Sequence, residues 1–337
     1  MTIDPKRVLA FALSLTCTVV AVTWLARHAA AQVPADTAQP LQRIGAVIDP
    51  ASTAPLYASR MLERPPYAGI DFERDIAYGS EPAQRLDVVH PGGTTSATAP
   101  RPVLVFVHGG GFTTGRRTTG AASPFYDNVM LWAARHGMVG VNMDYRLAPA
   151  HPWPAGAQDV GAALDWVQAH IAARGGDPGR VFVLGHSAGA AHVAGYLADS
   201  DLHHGPGAGV AGAMLLSGLY RVTPELVTQS PGYAAYFGSD PARFRARSPL
   251  MSLVISPVPL WVGGAELDPP AFRQQTGLLR SALRDAETPF AGADFAGHNH
   301  LSTAYSLHSD DSLVGTALLA FMREHAGGAT LGEVPTP

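Results

Sequence analysis

The chain has 337 residues, of which 47% are hydrophobic and 15% are charged, a composition that supports a large core and excludes a disordered chain. Its 23 basic and 27 acidic residues give a formal charge of −4, so we expect neither a nucleic acid nor another polyanion as a partner. Cys17 is the one cysteine of the chain, which excludes an intramolecular disulfide. No cysteine and histidine spacing typical of a zinc site occurs, and we expect no bound metal.

The N-terminus has the pattern of a secretory signal peptide. Lys6 and Arg7 precede an apolar run over residues 8–25, and three alanines at 29–31 follow it. The run is also nearly long enough to cross a bilayer, so a retained membrane anchor formed by residues 8–25 is the alternative. We expect residues 1–31 to be cleaved on export, to the periplasm or the exterior, or to hold the protein at a membrane.

Residues 32–70 contain several prolines and no clear period, which predicts an N-terminal linker or cap segment. Within it we expect a linker over about 32–40 and a short helix around 56–62. From Asp75 onwards, short β-branched runs alternate with longer runs of helical period. The predicted strands are 76–78, 86–90, 103–107, 139–144, 181–184, 213–216, 260–262 and 290–295. The predicted helices are 124–135, 156–173, 188–197, 270–286 and 312–324.

The order of these elements predicts an α/β fold. Gly79 and Pro82 separate the first two strands, which therefore form a hairpin. The remaining strands alternate with helices, an order that requires a mostly parallel sheet, here eight-stranded, with helices on both faces. Prolines and aromatic residues between about 219 and 253 indicate a small cap inserted in a domain that spans 71–328, with a tail at 329–337.

A candidate nucleophile lies where a strand meets a helix. Residues 185–189, GHSAG, match the pattern G-x-S-x-G between the predicted strand 181–184 and a helix rich in small residues. The two glycines leave room for a sharp turn, which lifts the hydroxyl of Ser187 to the carboxyl end of the strand. We interpret Ser187 as the nucleophile and His186 as a packed neighbour.

A glycine-rich loop follows the strand 103–107. Residues 108–112, HGGGF, place backbone N–H groups where they can stabilise the oxyanion that acyl transfer generates, although a plain flexible turn has the same composition. The N–H of Ala188, the residue after the nucleophile, is a further expected donor.

Four segments together carry a resemblance to a known family: 84–88 (QRLDV), 108–112 (HGGGF), 144–149 (DYRLAP) and 185–189 (GHSAG). Over about residues 75–326 the chain resembles the serine esterases of the α/β-hydrolase fold, in particular carboxylesterases related to hormone-sensitive lipase and to arylformamidases. The resemblance implies Gly110 and Gly111, together with Ala188, as the oxyanion donors. The hormone-sensitive lipase group usually has Asp where His186 stands, so the chain is more similar to the broader carboxylesterases and arylformamidases.

The acid and the base should follow Ser187 in that order. After the strand 260–262, Asp268 resembles the acid of the family in its Asp-Pro context, and Glu266 is the alternative. After the last strand, His300 resembles the base, and His298 is the alternative.

These residues predict hydrolysis through an acyl-enzyme. His300 takes the proton of Ser187, Asp268 orients the imidazole, and no metal or organic cofactor is needed. We expect an exported hydrolase whose partner is a small ester, with a short acyl chain or an aryl group, near pocket walls formed by Phe112, Tyr220 and Tyr236. Two alternatives are an arylformamidase-like amidase that uses the same residues and a catalytically silent binding module on the same fold.

Overall fold

A computed structural model describes residues 33–327, except 66, 93–98, 121–122 and 204–205. The strands are β1 (Ile70–Ala77), β2 (Arg85–Pro91), β3 (Arg101–Val107), β4 (Val139–Met143), β5 (Gly176–His186), β6 (Gly212–Leu216), β7 (Leu260–Leu267), β8 (Phe290–Ala291) and β9 (Asp294–Asn299). The α-helices are α1 (Ala35–Ile44), α2 (Pro50–Ala58), α3 (Asp127–Arg135), α4 (Ala155–His170), α5 (Ala188–Ala198), α6 (Pro224–Thr228), α7 (Pro231–Phe237), α8 (Leu250–Val254), α9 (Pro270–Asp285), α10 (Ser302–Tyr305) and α11 (Leu313–His325). Short 3₁₀ turns cover Ala172–Arg174, Ser200–Leu202, Pro206–Gly209 and Pro241–Arg243.

The strands form one mixed, mostly parallel sheet in the order β1-β2-β4-β3-β5-β6-β7-β8, and β9 also pairs with β7. β2 is antiparallel to both β1 and β4, which confirms the predicted hairpin, and the other pairs are parallel. The carboxyl ends of β3, β5, β6 and β7 therefore meet at one edge, where ligands of open α/β sheets bind.

The sheet is buried on both faces, as its continuous apolar strands predict. In β3, Val103, Val105 and Val107 belong to a first apolar cluster, which also contains residues of α4, α5 and α9. Leu104 and Phe106 belong to a second apolar cluster, with residues of α1, α2, α3 and α11. The predicted α/β-hydrolase fold, with helices on both faces of the sheet, is confirmed.

The predicted eighth strand, 290–295, is two strands in the structure. The backbone presses against β7 at Gly292, where an added Cβ would lie 2.1 Å from the carbonyl oxygen of Val262. β8 ends before this contact and β9 begins after it, so the sheet of the described residues has nine strands rather than eight.

The N-terminal segment 32–70 is more ordered than predicted. The expected linker over 32–40 is wrong, because α1 spans Ala35–Ile44 and fully buries Leu41 against the second apolar cluster. The expected helix at 56–62 begins earlier, at Pro50, where Asp49 caps it by accepting a hydrogen bond from the Ser52 N–H at 3.0 Å. Both helices start at a proline, Pro34 before α1 and Pro50 in α2, and each buries an apolar side chain, Leu41 and Tyr57.

The inserted segment 219–253 contains α6, α7 and most of α8 and shares a third apolar cluster with the residues around the nucleophile. The predicted signal peptide at 1–31 and tail at 329–337 lie outside the described residues. Among the residues that are described, no helix is both long and apolar enough to cross a membrane.

Candidate active site

Ser187 stands in a strained turn between β5 and α5. Its backbone has φ 58° and ψ −122°, a conformation that L-residues rarely adopt. Glycine is required beside it, because a Cβ at Gly189 would lie 2.0 Å from the carbonyl oxygen of Val107. Ser187 directly precedes α5, so the free N–H groups and the positive end of that helix lie next to the hydroxyl.

The structure brings Ser187, His300 and Asp268 together at the carboxyl edge of the sheet. Ser187 Oγ lies 2.7 Å from His300 Nε2, and His300 Nδ1 lies 2.6 Å from Asp268 Oδ1. Because a carboxylate only accepts, Nδ1 carries the proton and Nε2 is left to accept from the hydroxyl. The three side chains are buried, and Phe272 lies against the imidazole at a ring distance of 4.3 Å.

Asp268 remains ionised despite its burial. Burial alone raises the pKa of this carboxyl, but the hydrogen bonds from His300, Ser217 and the Ala265 N–H outweigh that effect, and the pKa lies below its ordinary value. A fixed negative charge next to His300 stabilises the imidazolium that forms when the imidazole takes a proton.

The two alternatives occupy other places. Glu266 is exposed, and its carboxylate accepts a hydrogen bond from the Gly297 N–H at 2.7 Å. His298 is buried, with Nδ1 2.9 Å from Ser302 Oγ and Nε2 3.5 Å from Asp311. The geometry therefore favours Asp268 and His300 for the roles of acid and base.

The glycine-rich loop lies directly against the nucleophile. A Cβ at Gly109 would lie 2.9 Å from that of Ser187. Gly110 has φ 138°, and a Cβ there would be only 1.9 Å from the Thr114 carbonyl oxygen, so the loop requires glycine. Gly110 and Gly111 directly follow the residue that contacts Ser187, and Ala188 directly follows Ser187 at the start of α5. Their role as oxyanion donors stays a prediction.

Buried aromatic rings brace this loop from beneath. Tyr145 donates a hydrogen bond to the His108 carbonyl at 2.8 Å and stacks on the His108 ring at 4.4 Å. His108 Nδ1 donates to the Gly109 carbonyl at 2.6 Å, and Asp144 forms an ion pair with Arg117. Tyr145 thus holds the glycine-rich loop in place from within the core.

The three predicted pocket walls are all buried. Phe112 and Tyr236 stack on each other at 4.5 Å and 5°, in the apolar cluster that includes Ala188, so they border the site as packed rings. Tyr220 is different: it is completely buried in the first apolar cluster of the sheet, and its hydroxyl accepts from the Gly218 N–H at 3.2 Å. The prediction that Tyr220 lines an accessible pocket is wrong, because its side chain turns into the core.

Sequence reasoning missed two contributions to the site. Ser217, the residue directly after β6, donates a hydrogen bond to Asp268, and its position at the carboxyl end of a strand was the available signal. The N-terminal segment supports the residues on either side of His300: Tyr57 donates to Asp311 at 2.9 Å, and Thr53 accepts from Asn299 at 3.0 Å. No local pattern relates positions about 250 residues apart.

A family model described as the alpha/beta hydrolase fold matches residues 104–302, more than half of the chain. The chain belongs to the α/β-hydrolase family. The match begins in β3 and ends in α10, so it contains the glycine-rich loop, Ser187, Asp268 and His300.

Curated relatives of this α/β hydrolase match over shorter stretches. The carboxylesterase NlhH of Mycobacterium tuberculosis is 47% identical over 93 residues, which are 26% of this chain and 26% of the relative. Esterase LipC of the same organism is 39% identical over 116 residues, 34% of this chain and 27% of the relative. The matched part of the chain thus spans about a quarter of the length of these relatives.

Solved structures share the fold over nearly their whole length. Esterase B from Lactobacillus rhamnosis has a TM-score of 0.66 at 18% identity, covering 87% of this chain and 96% of that one. A bacterial heroin esterase has a TM-score of 0.65 at 24% identity, covering 87% and 98%. At these identities the likeness concerns the fold.

Proposed function

We propose that this α/β hydrolase is a serine hydrolase of carboxylic esters. The carrying observation is the continuous hydrogen-bonded chain from Ser187 Oγ through His300 to Asp268, with Gly109 in contact with the nucleophile. Esterase names among the curated relatives support the same reaction.

The reaction follows from the geometry. As the hydroxyl of Ser187 attacks the ester carbonyl, its proton moves to His300 Nε2. The new oxyanion then accepts hydrogen bonds from the N–H groups of Gly110, Gly111 and Ala188. His300 then protonates the leaving alcohol. Water, deprotonated by the same nitrogen, attacks the acyl-enzyme and releases the acid and free Ser187.

We propose short acyl chains or aryl groups as the substrate class. The cap that covers the site is small, and its α7 and the adjacent Phe112 pack aromatic rings next to Ala188. A long acyl chain needs an extended apolar groove, whereas a compact aromatic wall suits a planar or short group.

The test is hydrolysis of a p-nitrophenyl ester series from acetate to palmitate, with Ser187→Ala as the paired variant. We expect the highest kcat/KM at short chains and loss of turnover in Ser187→Ala. Turnover that survives in Ser187→Ala would contradict the role of Ser187. An enzyme that cleaves N-formyl arylamides but none of these esters would instead indicate the arylformamidase-like activity, and no turnover at all would favour a binding module.

We also propose that the protein is exported. The support is the order of charged, apolar and small residues over 1–31. Expression of the full chain in a bacterium, followed by fractionation and mass measurement, tests it. A mature N-terminus at Gln32 in the soluble exported fraction supports cleavage. Uncleaved chain in the membrane fraction supports the anchor, and uncleaved chain in the cytosol contradicts both.

A further inference from the structure

The backbone carbonyl of His300 is held by two buried side chains. His186 Nε2 lies 2.9 Å from this oxygen, and Thr303 Oγ1 donates to it at 2.9 Å. Both side chains are fully buried. A carbonyl oxygen has two lone pairs, so both are used, and the backbone of the residue that bears the base cannot rotate without breaking one of these bonds.

The two bonds differ in what they connect. Thr303 lies three residues after His300, so its bond is local. His186 directly precedes Ser187 at the end of β5, and its bond reaches a residue 114 positions away, directly after β9. The bond from His186 therefore connects the residue next to the nucleophile to the backbone of the base, in addition to the bond between Ser187 Oγ and His300 Nε2.

The hydrogen-bond partner determines the tautomer of His186. A carbonyl oxygen only accepts, so Nε2 carries the proton, and Nδ1 has no hydrogen-bond partner among the described residues. Nδ1 faces the glycine-rich loop, where a Cβ at Gly109 would lie 3.3 Å from it. A second proton on Nδ1 would be buried without an acceptor, and burial lowers the pKa of His186 to about 3.

A neutral ring suits this place. The rings of His186 and His300 are 4.9 Å apart, and His300 becomes positively charged while the acyl-enzyme forms and breaks down. A permanently charged donor such as lysine at 186 would oppose that charge in a buried site. A neutral imidazole donates the hydrogen bond without this penalty.

We propose that His186 is a positioning residue, whose Nε2–H holds the His300 carbonyl and thereby sets the separation of Ser187 Oγ and His300 Nε2. This inference rests on the proposed serine-hydrolase function, because it concerns how the nucleophile and the base are kept in register. It makes the variable position of G-x-S-x-G a functional contact in this chain. An ordinary packing histidine would depend on ring volume, whereas this role depends on one N–H group.

Three substitutions separate the two roles. In His186→Gln the side-chain amide extends far enough to donate from the position of Nε2. In His186→Asn the amide ends near the position of Nδ1, and His186→Leu has no donor. His203→Leu is the matched control, because His203 Nε2 also bonds to a carbonyl, that of Tyr196 at 2.8 Å, but joins no two residues of the site.

The experiment measures kcat and KM on the best p-nitrophenyl ester, the rate at which a fluorophosphonate labels Ser187, and Tm. We expect His186→Asn and His186→Leu to lose about tenfold to a hundredfold in kcat and in labelling rate with little change in KM, because a small misplacement of reacting groups is costly. We expect His186→Gln to recover most of both rates. His203→Leu should lower Tm and leave kcat close to that of the wild type.

Two results overturn the inference. One is a kcat and labelling rate for His186→Asn within about threefold of the wild type. The other is a folded His186→Gln as slow as His186→Asn, since a packing role predicts that result. Failure of the proposed function looks different: the wild type then shows no turnover that depends on Ser187 and no labelling, and the inference fails with it. If His186→Leu does not fold, the comparison of Gln with Asn still decides.

Discussion

Ser217 Oγ donates a hydrogen bond to Asp268 Oδ2 at 2.7 Å, and both side chains are fully buried. The Ala265 N–H donates to the same oxygen at 2.9 Å, while the other oxygen accepts from His300. Each oxygen of the acid therefore has a defined partner, and the orientation of His300 depends on residues that do not touch the substrate.

Ser217→Ala should lower both activity and stability. The variant keeps Cβ, so the backbone cost of φ 54° at this position does not change, and only the hydroxyl is lost. A buried hydrogen bond to a charged group contributes about 1.5–3 kcal/mol, and we expect a loss of that size in the free energy of unfolding, with kcat reduced about tenfold. Urea denaturation and ester hydrolysis measure the two effects. Ser252→Ala, on α8, is the control; equal behaviour of the two variants would contradict a role for Ser217.

Substitution of the two neighbouring histidines should separate base from scaffold. His300→Gln removes the acceptor for the Ser187 proton, and we expect kcat to fall by at least about a thousandfold. His298→Gln leaves His300 Nε2 in place but disturbs the buried contact between residue 298 and Asp311, so we expect mainly a lower Tm. Steady-state kinetics and thermal unfolding of both variants test this. The assignment of the base is wrong if His298→Gln is the less active enzyme at equal fold.

Gly232→Ala should lower the stability of the protein, whereas a Gly→Ala change in a helix ordinarily raises it. A Cβ at Gly232, in α7, would lie 2.5 Å from the carbonyl oxygen of Gly111 and push the cap against the oxyanion loop. We expect a loss of about 1–3 kcal/mol in stability and a reduced kcat.

Gly277→Ala, in α9, is the matched control, because nothing lies within 4 Å of its added Cβ. There the variant should gain about 0.5–1 kcal/mol from helix propensity and leave kcat unchanged. Urea denaturation gives both signs. A gain in stability for Gly232→Ala would show that the cap does not rest on the loop.

Stability should fall as the pH falls below about 6.5, the pKa of an unperturbed histidine. Burial lowers the pKa of His186 and of His192 to about 3 in the folded chain. Between these pH values the unfolded chain binds protons that the folded chain does not. The contribution of these two histidines to the free energy of unfolding is therefore fully present above pH 6.5 and is lost as the pH falls towards 3. Each such histidine changes it by about 1.4 kcal/mol per pH unit.

His192→Asn provides the test. The amide retains a polar atom near Nδ1, which lies 3.1 Å from the Tyr236 hydroxyl, but it cannot be protonated. We expect a lower free energy of unfolding at pH 8. Between pH 4 and 6, the slope of the free energy of unfolding against pH should be shallower by an amount that corresponds to about one proton. Urea denaturation over that range measures the slope; an unchanged slope would mean that His192 is protonated in the folded chain.

Local patterns were sufficient to predict the chemistry of the site. The strand before GHSAG indicated Ser187, and the HGGGF loop implied Gly110 and Gly111 by resemblance, because each pattern depends on a few neighbouring residues. The order of serine, acid and histidine favoured Asp268 and left Glu266 as the alternative. The hairpin and the parallel strands followed from the spacing of apolar runs. For the base, the resemblance favoured His300 and left His298 as the alternative, since both follow the same predicted strand.

Tertiary contacts decided the rest. His300 rather than His298 reaches Ser187, because the residues after β9 direct one ring to the nucleophile and the other to Asp311. Tyr220 turns into the core, and α1 forms in a segment whose prolines predicted a linker.

By itself, the sequence determined the fold class and the type of chemistry, because strand periods and turn glycines act over short distances. Which side chains hold the acid, the base and the loop was decided only by the tertiary structure. The reason is that Ser217 with Asp268, His186 with His300 and Tyr57 with Asp311 lie 51, 114 and 254 positions apart. The first two hydrogen bonds exist only when the sheet brings the ends of its strands to one edge, and the third only when the helix Pro50–Ala58 packs against the segment after His300.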